Sequence, residues 1–292
     1  MIPAAFEYNA PKTLEEALRL LDRHGDKAKL LAGGHSLLPL MKLRLAMPRY
    51  IIDIGRLKGL SGIREVRGKI SIGALTTHAE IERSDLVRKH CSLLSETARE
   101  IGDAQVRNRG TLGGSLAHAD PAADYPATML ALDAEIAAAS KSGSRVIPAS
   151  QFFVDMLTTK LRPGEILTEV RVGPLPPRTG TAYMKLHQPA SGFAIVGAAV
   201  RLTVSKAGRI EEVRVGITGV GLKAYRAVAV ENALQGSNAE DKVFAEAARA
   251  AAQGAEPLSD LHASAAYRTE MAAVFTRRAL HRALGRARGK SA

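Results

Sequence analysis

The sequence predicts an α+β fold, and three observations carry that reading. The first roughly 55 residues follow the order α-β-turn-α-β, with apolar spacing that switches between helix and strand periods. From there to about residue 176, short alternating runs pair as hairpins with helical stretches between them. The stiff segment Gly173-Pro174-Leu175-Pro176-Pro177 then leads into three long alternating runs and an Ala-rich helical end. The expected units are a small α/β lobe at 1–57, an antiparallel-sheet lobe at 58–176, and a C-terminal α+β domain at 177–292. That last domain should hold a three-stranded antiparallel meander and a helix bundle.

Residues 12–24 form the first expected helix, with Thr13 and Glu16 spaced as a capping box and Leu14, Ala17, Leu18 and Leu21 on one face. Gly25 stops it. A strand at 28–32 runs into a glycine turn, a helix near 36–43 ends before Pro48, and Tyr50–Ile54 makes a second buried strand. Gly62–Gly73 reads as a hairpin turning at Arg67-Gly68. From Thr77 the pattern is helical, with Thr77 and Ser84 as caps. Asp103–Asp124 breaks this regularity with glycines, polar residues and a proline, which predicts a functional loop. A helix at 122–132, strands at 134–139 and 145–148, and a strand at 165–172 complete the lobe. Past the linker, strands are expected at 181–187, 194–205 and 209–218, and helices near 226–235, 240–253 and 260–287.

Composition excludes several function classes. Hydrophobic residues are 46% but aromatics only 4% with no Trp, so the core must be aliphatic. A single cysteine, Cys91, excludes an internal disulfide and any cluster held by several thiolates of this chain, and its helical context suits a buried structural thiol. The start of the chain lacks the basic and apolar regions of a signal peptide, and no apolar run nears the roughly 20 residues of a membrane span, so a cytoplasmic protein is expected. Net charge is +12, yet the basic residues are spread out except from Arg277 onward, in RRALHRALGRARGK. No aromatics interleave with that run and no nucleic-acid-binding signature is present, so no nucleic-acid partner is expected. The run reads as a solvated helix end matching its own dipole, or as a docking contact for an acidic subunit.

No Walker loop, GxGxxG, HExxH, CxxC pair or nucleophile elbow occurs. His118, Asp120 and Asp124 are too sparse a set to assign a metal. Ala32-Gly33-Gly34-His35-Ser36 stands between a strand and a helix, where glycine lets backbone N–H groups approach an anion. Alone, it is equally a tight turn. A second glycine turn, Thr111-Leu112-Gly113-Gly114-Ser115, offers two hydroxyls, and Asp120 and Asp124 follow it. Carboxylates repel phosphate but suit the hydroxyls of a ribose or ribityl chain, so the two turns together match a diphosphate flanked by polyols, as in FAD.

Three segments then resemble a known family: AGGHSLLPLMKLR at 32–44, NRGTLGGSLAHADPAADYP at 108–126, and YMKLHQPASGFAIVGAAV at 183–200. They are similar to the FAD-binding medium subunit of the molybdenum hydroxylases, the group of aerobic carbon monoxide dehydrogenase and the xanthine dehydrogenase flavin domain. The resemblance spans essentially the whole chain and implies a PCMH-type FAD-binding fold. It implies that Ala32, Gly33, Gly34, His35 and Ser36, with Thr111, Leu112, Gly113, Gly114 and Ser115, hold the FAD diphosphate. Asp124 would bind the polyol part with Lys185 nearby, Leu161 would pack on the adenine or flavin side, and Phe193 would lie near the isoalloxazine. The family frequently carries an Arg and an Asp before that aromatic, where this chain has Pro189-Ala190-Ser191-Gly192. On the residues alone, Lys185 also suits an ordinary strand lysine, Phe193 a core residue, His35 a turn cap, and Asp124 an N-cap.

The resemblance further implies partners: a large molybdopterin-binding subunit and a small subunit with 2Fe-2S clusters, assembled as a dimer of heterotrimers. Electrons would pass from those clusters through a non-covalent FAD to quinone, NAD or oxygen. No catalytic residue and no metal ligand is expected on this chain. Two other function classes remain open from the residues: a flavin-free scaffold subunit, and a self-sufficient flavin oxidase with its own base and pocket.

Overall fold

The computed structural model describes residues 1–289. The N-terminal lobe contains β1 (Glu7–Asn9), α1 (Leu14–His24), β2 (Ala28–Leu31), α2 (Leu37–Lys42) and β3 (Tyr50–Asp53). Its three strands lie parallel in the order β1-β3-β2, with Tyr50 opposite both Glu7 and Ala28. The three-residue β1 is an addition to the expected elements, since so short a strand shows no period. Thr13 caps α1 as expected, its hydroxyl accepting from the Glu16 N–H at 3.2 Å. The Glu16 carboxylate reaches back one residue further than a capping box requires, to the Lys12 N–H at 2.8 Å. Ala17 and Leu18 of this helix share a core with Ile52, Ile54, Leu57 and Leu60, joined by Leu75 and Ile166 from the next lobe.

The middle lobe runs β4 (Ile63–Val66), β5 (Lys69–Gly73), α3 (His78–Arg83), α4 (Asp85–His90), α5 (Ser92–Arg99), α6 (Ala104–Arg107), α7 (Leu112–His118) and α8 (Tyr125–Ala131). It continues with β6 (Glu135–Ser140), β7 (Gly143–Pro148), α9 (Ala149–Phe152), β8 (Phe153–Asp155), β9 (Thr158–Thr159) and β10 (Ile166–Val172). Five strands form an antiparallel sheet in the order β4-β5-β10-β6-β7. The register aligns Ile72, Val170, Ile136 and Ile147 in one buried row across it. Thr77 and Ser84 cap α3 and α4 as expected, Thr77 and Glu80 forming a complete capping box.

Asp103–Asp124 is not a loop throughout but carries the short helices α6 and α7, because side chains of Asp103 and Thr111 cap them. The small hairpin of β8 and β9 was likewise not expected.

The C-terminal domain contains β11 (Thr179–His187), β12 (Ala194–Val204), β13 (Ile210–Thr218), β14 (Tyr225–Arg226), α10 (Val228–Leu234), α11 (Asp241–Ala248) and α12 (Ala265–Ala287). The meander β11-β12-β13 is present, extended by the two-residue β14 into a four-stranded antiparallel sheet. α12 begins five residues later than expected, at the Ser264 cap, and α11 ends at Ala248. Ala272, Phe275, Ala279, Leu280, Ala283 and Leu284 recur at helical spacing along α12 and pack on the sheet.

The basic run from Arg277 is not simply a solvated helix end. Arg277 and His281 pair with Asp241 at 2.7 and 2.6 Å, and Arg286 pairs with Glu96 of the middle lobe at 2.8 Å. Lys290 of that run lies outside the described residues. Among the described residues, no helix is long and apolar enough to cross a membrane.

Candidate functional site

The first glycine turn leaves β2, crosses Ala32–Ser36 and enters α2. Gly34 has φ +84°, a conformation that suits glycine, and its carbonyl accepts from the Leu38 N–H at 3.0 Å. Gly33 is required by closeness: a Cβ there would lie 2.1 Å from the Arg109 carbonyl oxygen. The first turn is therefore seated directly on Arg109-Gly110, the residues that lead into the second turn. Among the described residues, the N–H groups of Gly33, Gly34, His35 and Ser36 meet no acceptor. A row of unengaged N–H groups at a turn with positive φ is a backbone anion site. His35 is exposed and Ser36 half-buried, and the Ser36 hydroxyl does not cap α2.

The second turn differs. The Thr111 hydroxyl accepts from the Gly114 N–H at 3.1 Å, and the Thr111 carbonyl accepts from Ser115 at 3.0 Å. Leu112 donates to the Thr76 carbonyl at 3.0 Å and Gly113 to the Ala74 carbonyl at 2.8 Å. All four N–H groups from Leu112 to Ser115 are thus engaged inside the protein. The glycines serve packing instead, since a Cβ on Gly113 would lie 2.6 Å from the Ala74 Cβ. A Cβ on Gly114 would sit 2.7 Å from the Thr111 hydroxyl and 3.8 Å from the Ala32 Cβ, so the two turns do face each other. The half-buried Ser115 hydroxyl is the group this turn has left to offer.

Asp120 uses one carboxylate oxygen on the Ala122 N–H at 2.8 Å, an Asx-type turn. The loop it shapes is stitched to the C-terminal sheet: the Pro121 carbonyl accepts from Gly219 and Thr218, each at 2.8 Å, and the Ala122 carbonyl from Ala194 at 3.1 Å. Asp124 is at the N-cap position of α8, but its side chain makes no capping bond. Its carboxylate is buried and receives Lys185 Nζ at 2.9 Å and the Tyr183 hydroxyl at 2.5 Å. The Lys185 ammonium also donates to the Glu100 carbonyl at 2.9 Å, and its side chain is fully buried. Burial pushes the Asp124 carboxyl above its ordinary value, while Lys185 and the Tyr183 hydroxyl pull it back. The Tyr183 hydroxyl is pushed well up, by burial first and by the Asp124 charge next.

Structure therefore brings Ala32–Gly33 onto Arg109–Gly114, and Asp124 onto Lys185. Leu161 is apart from both pairs, half-buried against the middle-lobe core. Phe193 is 45% exposed at the base of a tight turn, its carbonyl accepting from the Gln188 N–H at 2.8 Å, while Gln188 also holds Ser191 and Gly192. That turn, Pro189–Gly192, leans on Gly102, with 3.4 Å from a Gly192 Cβ to the Gly102 Cα. The isolated reading of Phe193 as core does not hold.

Sequence reasoning missed Tyr183, His187 and His78. The first two were legible: residues 183, 185 and 187 of a strand share one face, and His187 pairs with Glu100 at 2.8 Å beside Lys185. His78 carried no local signal. It is buried beneath Gly110, its ring edge-on to Tyr125, with Nδ1 unpartnered among the described residues. Burial first, then the nearby His35 and Arg107, lower its pKa to about 4, so it is neutral at physiological pH.

Comparison with known proteins agrees with this architecture. The family model described as the FAD binding domain in molybdopterin dehydrogenase matches residues 4–176, and that of the CO dehydrogenase flavoprotein C-terminal domain matches 181–283. The carbon monoxide dehydrogenase medium chain of Hydrogenophaga pseudoflava is 42% identical over 98% of this chain and 99% of that protein. The 6-hydroxypseudooxynicotine dehydrogenase complex subunit alpha of Paenarthrobacter nicotinovorans is 41% identical over 99% of this chain and 97% of that one. A solved carbon monoxide dehydrogenase from Hydrogenophaga pseudoflava superposes with a TM-score of 0.95 at 43% identity, covering 98% of this chain and 99% of the other.

Proposed function

We propose, from the premise that this chain belongs to the FAD-binding subunits of the molybdopterin dehydrogenases, that it carries the flavin of a molybdenum hydroxylase. In that role it passes electrons from iron–sulfur clusters on a small partner subunit to an external acceptor. A large molybdopterin-binding subunit oxidises the substrate, and the complex is a dimer of heterotrimers.

The residues present fit such a cofactor. The observation that carries the reading is the row of four unengaged N–H groups at Gly33–Ser36, seated on Arg109-Gly110 and facing the second turn. Gly33, Gly34, His35 and Ser36 hold the diphosphate through these N–H groups, and Ala32 opens the turn facing Gly114. Thr111, Leu112, Gly113, Gly114 and Ser115 form the opposing wall, which excludes water and contributes the Ser115 hydroxyl. Asp120 has one carboxylate oxygen free of the Asx turn for a polyol hydroxyl. Asp124 and Lys185 hold each other and so fix the C-terminal sheet against the cofactor-binding lobes; any contact of Asp124 with the polyol shares an already occupied carboxylate. Leu161 and the exposed Phe193 supply apolar surface for the ring systems.

When bound, FAD supplies the redox chemistry, and the protein's part is to bind and orient it. No general acid or base is needed on this chain. The test is co-expression with both partner subunits: the purified complex contains acid-releasable FAD, bound without a covalent link, in a one-to-one ratio with this chain. A complex that assembles without flavin, and gains none on titration, returns the chain to a scaffold role. Dye reduction by the chain without its molybdenum partner would instead point to a self-sufficient oxidase.

A further inference from the structure

A cavity of about 330 Å³ opens where the middle lobe meets the C-terminal domain, away from both glycine turns. Its size is within the range of small-molecule sites, roughly 300–1,000 Å³. Lys89, His90 and Ser92 line it from the α4–α5 corner, and Thr179, Thr181 and Arg286 line it from the C-terminal domain. No carboxylate is among its lining residues. Behind the cavity Glu96 holds Arg286 at two points, 2.8 and 3.1 Å, and Arg286 also donates to the Thr181 carbonyl at 2.6 Å; with Arg282 3.6 Å from the same carboxylate, the cluster keeps a net positive charge. Among the described residues, Lys89 and His90 form no ion pair, the Ser92 N–H at the start of α5 meets no acceptor, and the Ser92 hydroxyl lies 3.5 Å from that of Thr181. The Cys91 side chain before them gives no cap.

We infer that this cavity is a second anion site that recognises the phosphate group of a small phosphorylated molecule. The unpaired Lys89 cation, His90, the hydroxyls and the free Ser92 N–H converge on one concave space with the Glu96-held Arg286 in its wall, a donor set that a phosphate group, with several acceptor oxygens, satisfies better than a single carboxylate does. Because the donors come from two domains, the bound anion ties the end of α12 to the α4–α5 corner. The site is independent of the flavin reading.

The test is calorimetric titration of the full-length chain, pre-saturated with FAD so that the diphosphate turn is filled, in about 0.15 M chloride. Inorganic pyrophosphate and AMP are titrated separately, which distinguishes a bare phosphate ligand from a nucleotide. Either should bind at one site per chain. The double variant Lys89→Gln/His90→Gln should weaken binding by about tenfold or more, the effect of losing one charge-assisted contact. Ser92→Asp should abolish it while leaving the fold intact, since an acidic residue in the first turn of α5 favours the helix and repels the ligand. Failure of both ligands to bind wild-type protein overturns the proposal. So does binding that is unchanged in Ser92→Asp, whether or not FAD is held.

Discussion

Lys185 places its ammonium 2.9 Å from the Asp124 carboxylate, with both side chains buried, and so bolts β11 of the C-terminal sheet to the cap of α8 in the cofactor-binding lobes. Removing one partner strands a charge away from water. Lys185→Met should lower the unfolding free energy by about 3–5 kcal/mol, because Asp124 is left buried and uncompensated. Adding Asp124→Asn should recover part of that loss, and urea unfolding of the four proteins of the cycle gives the coupling. Additive losses would mean that the two residues act separately.

Gly33 has no space for a side chain, with Arg109 carbonyl oxygen 2.1 Å from the position of a Cβ. Gly33→Ala must push the two turns apart. Its FAD dissociation constant, measured on the assembled complex by flavin fluorescence, should rise by at least about tenfold, as expected from losing one or two hydrogen bonds to a charged group.

His78 makes stability depend on pH in a defined direction. Its folded pKa is lowered from 6.5 to about 4, mainly by burial. Below 6.5 the unfolded chain takes up a proton that the folded chain refuses, so stability present above 6.5 is lost as pH falls toward 4. The loss from this residue is about 3 kcal/mol at most. Urea unfolding between pH 7 and pH 4 should show it, and His78→Leu should flatten the profile over that range.

Cys91 is buried and its thiol is pushed up to about 12, chiefly by burial. Folded protein should therefore resist iodoacetamide at neutral pH, and denatured protein should gain one adduct by intact mass.

Much of this was legible in the sequence because period and punctuation are local. The strand, glycine turn and helix of 28–42, the caps at Thr13, Thr77 and Ser84, and the long meander beyond Pro177 all follow from spacing that nearby residues display. Of the two short helices after Asp103, α6 has only four residues and shows no period, and α7 was hidden because Gly113 and Gly114 read as breakers. The place of Gly113 in α7 is decided by packing on Ala74, a contact 39 residues away in sequence that overrides propensity. The same contact decides the chemistry of the second turn, whose N–H groups are spent inside the fold. Tyr183 could have been found from strand periodicity once Lys185 was singled out. His78 could not, since Gly110 and Tyr125 reach it only through the tertiary fold.

If the first turn, not the second, gives its backbone to the cofactor diphosphate, as proposed, the two turns respond differently to FAD. Amide hydrogen exchange of the complex, with FAD removed and restored, measures this at the atoms concerned. The amides of 33–36 should exchange rapidly without FAD and become protected when it binds, while those of 112–115 should be protected already and change little. Protection gained at 112–115 with none at 33–36 would contradict it.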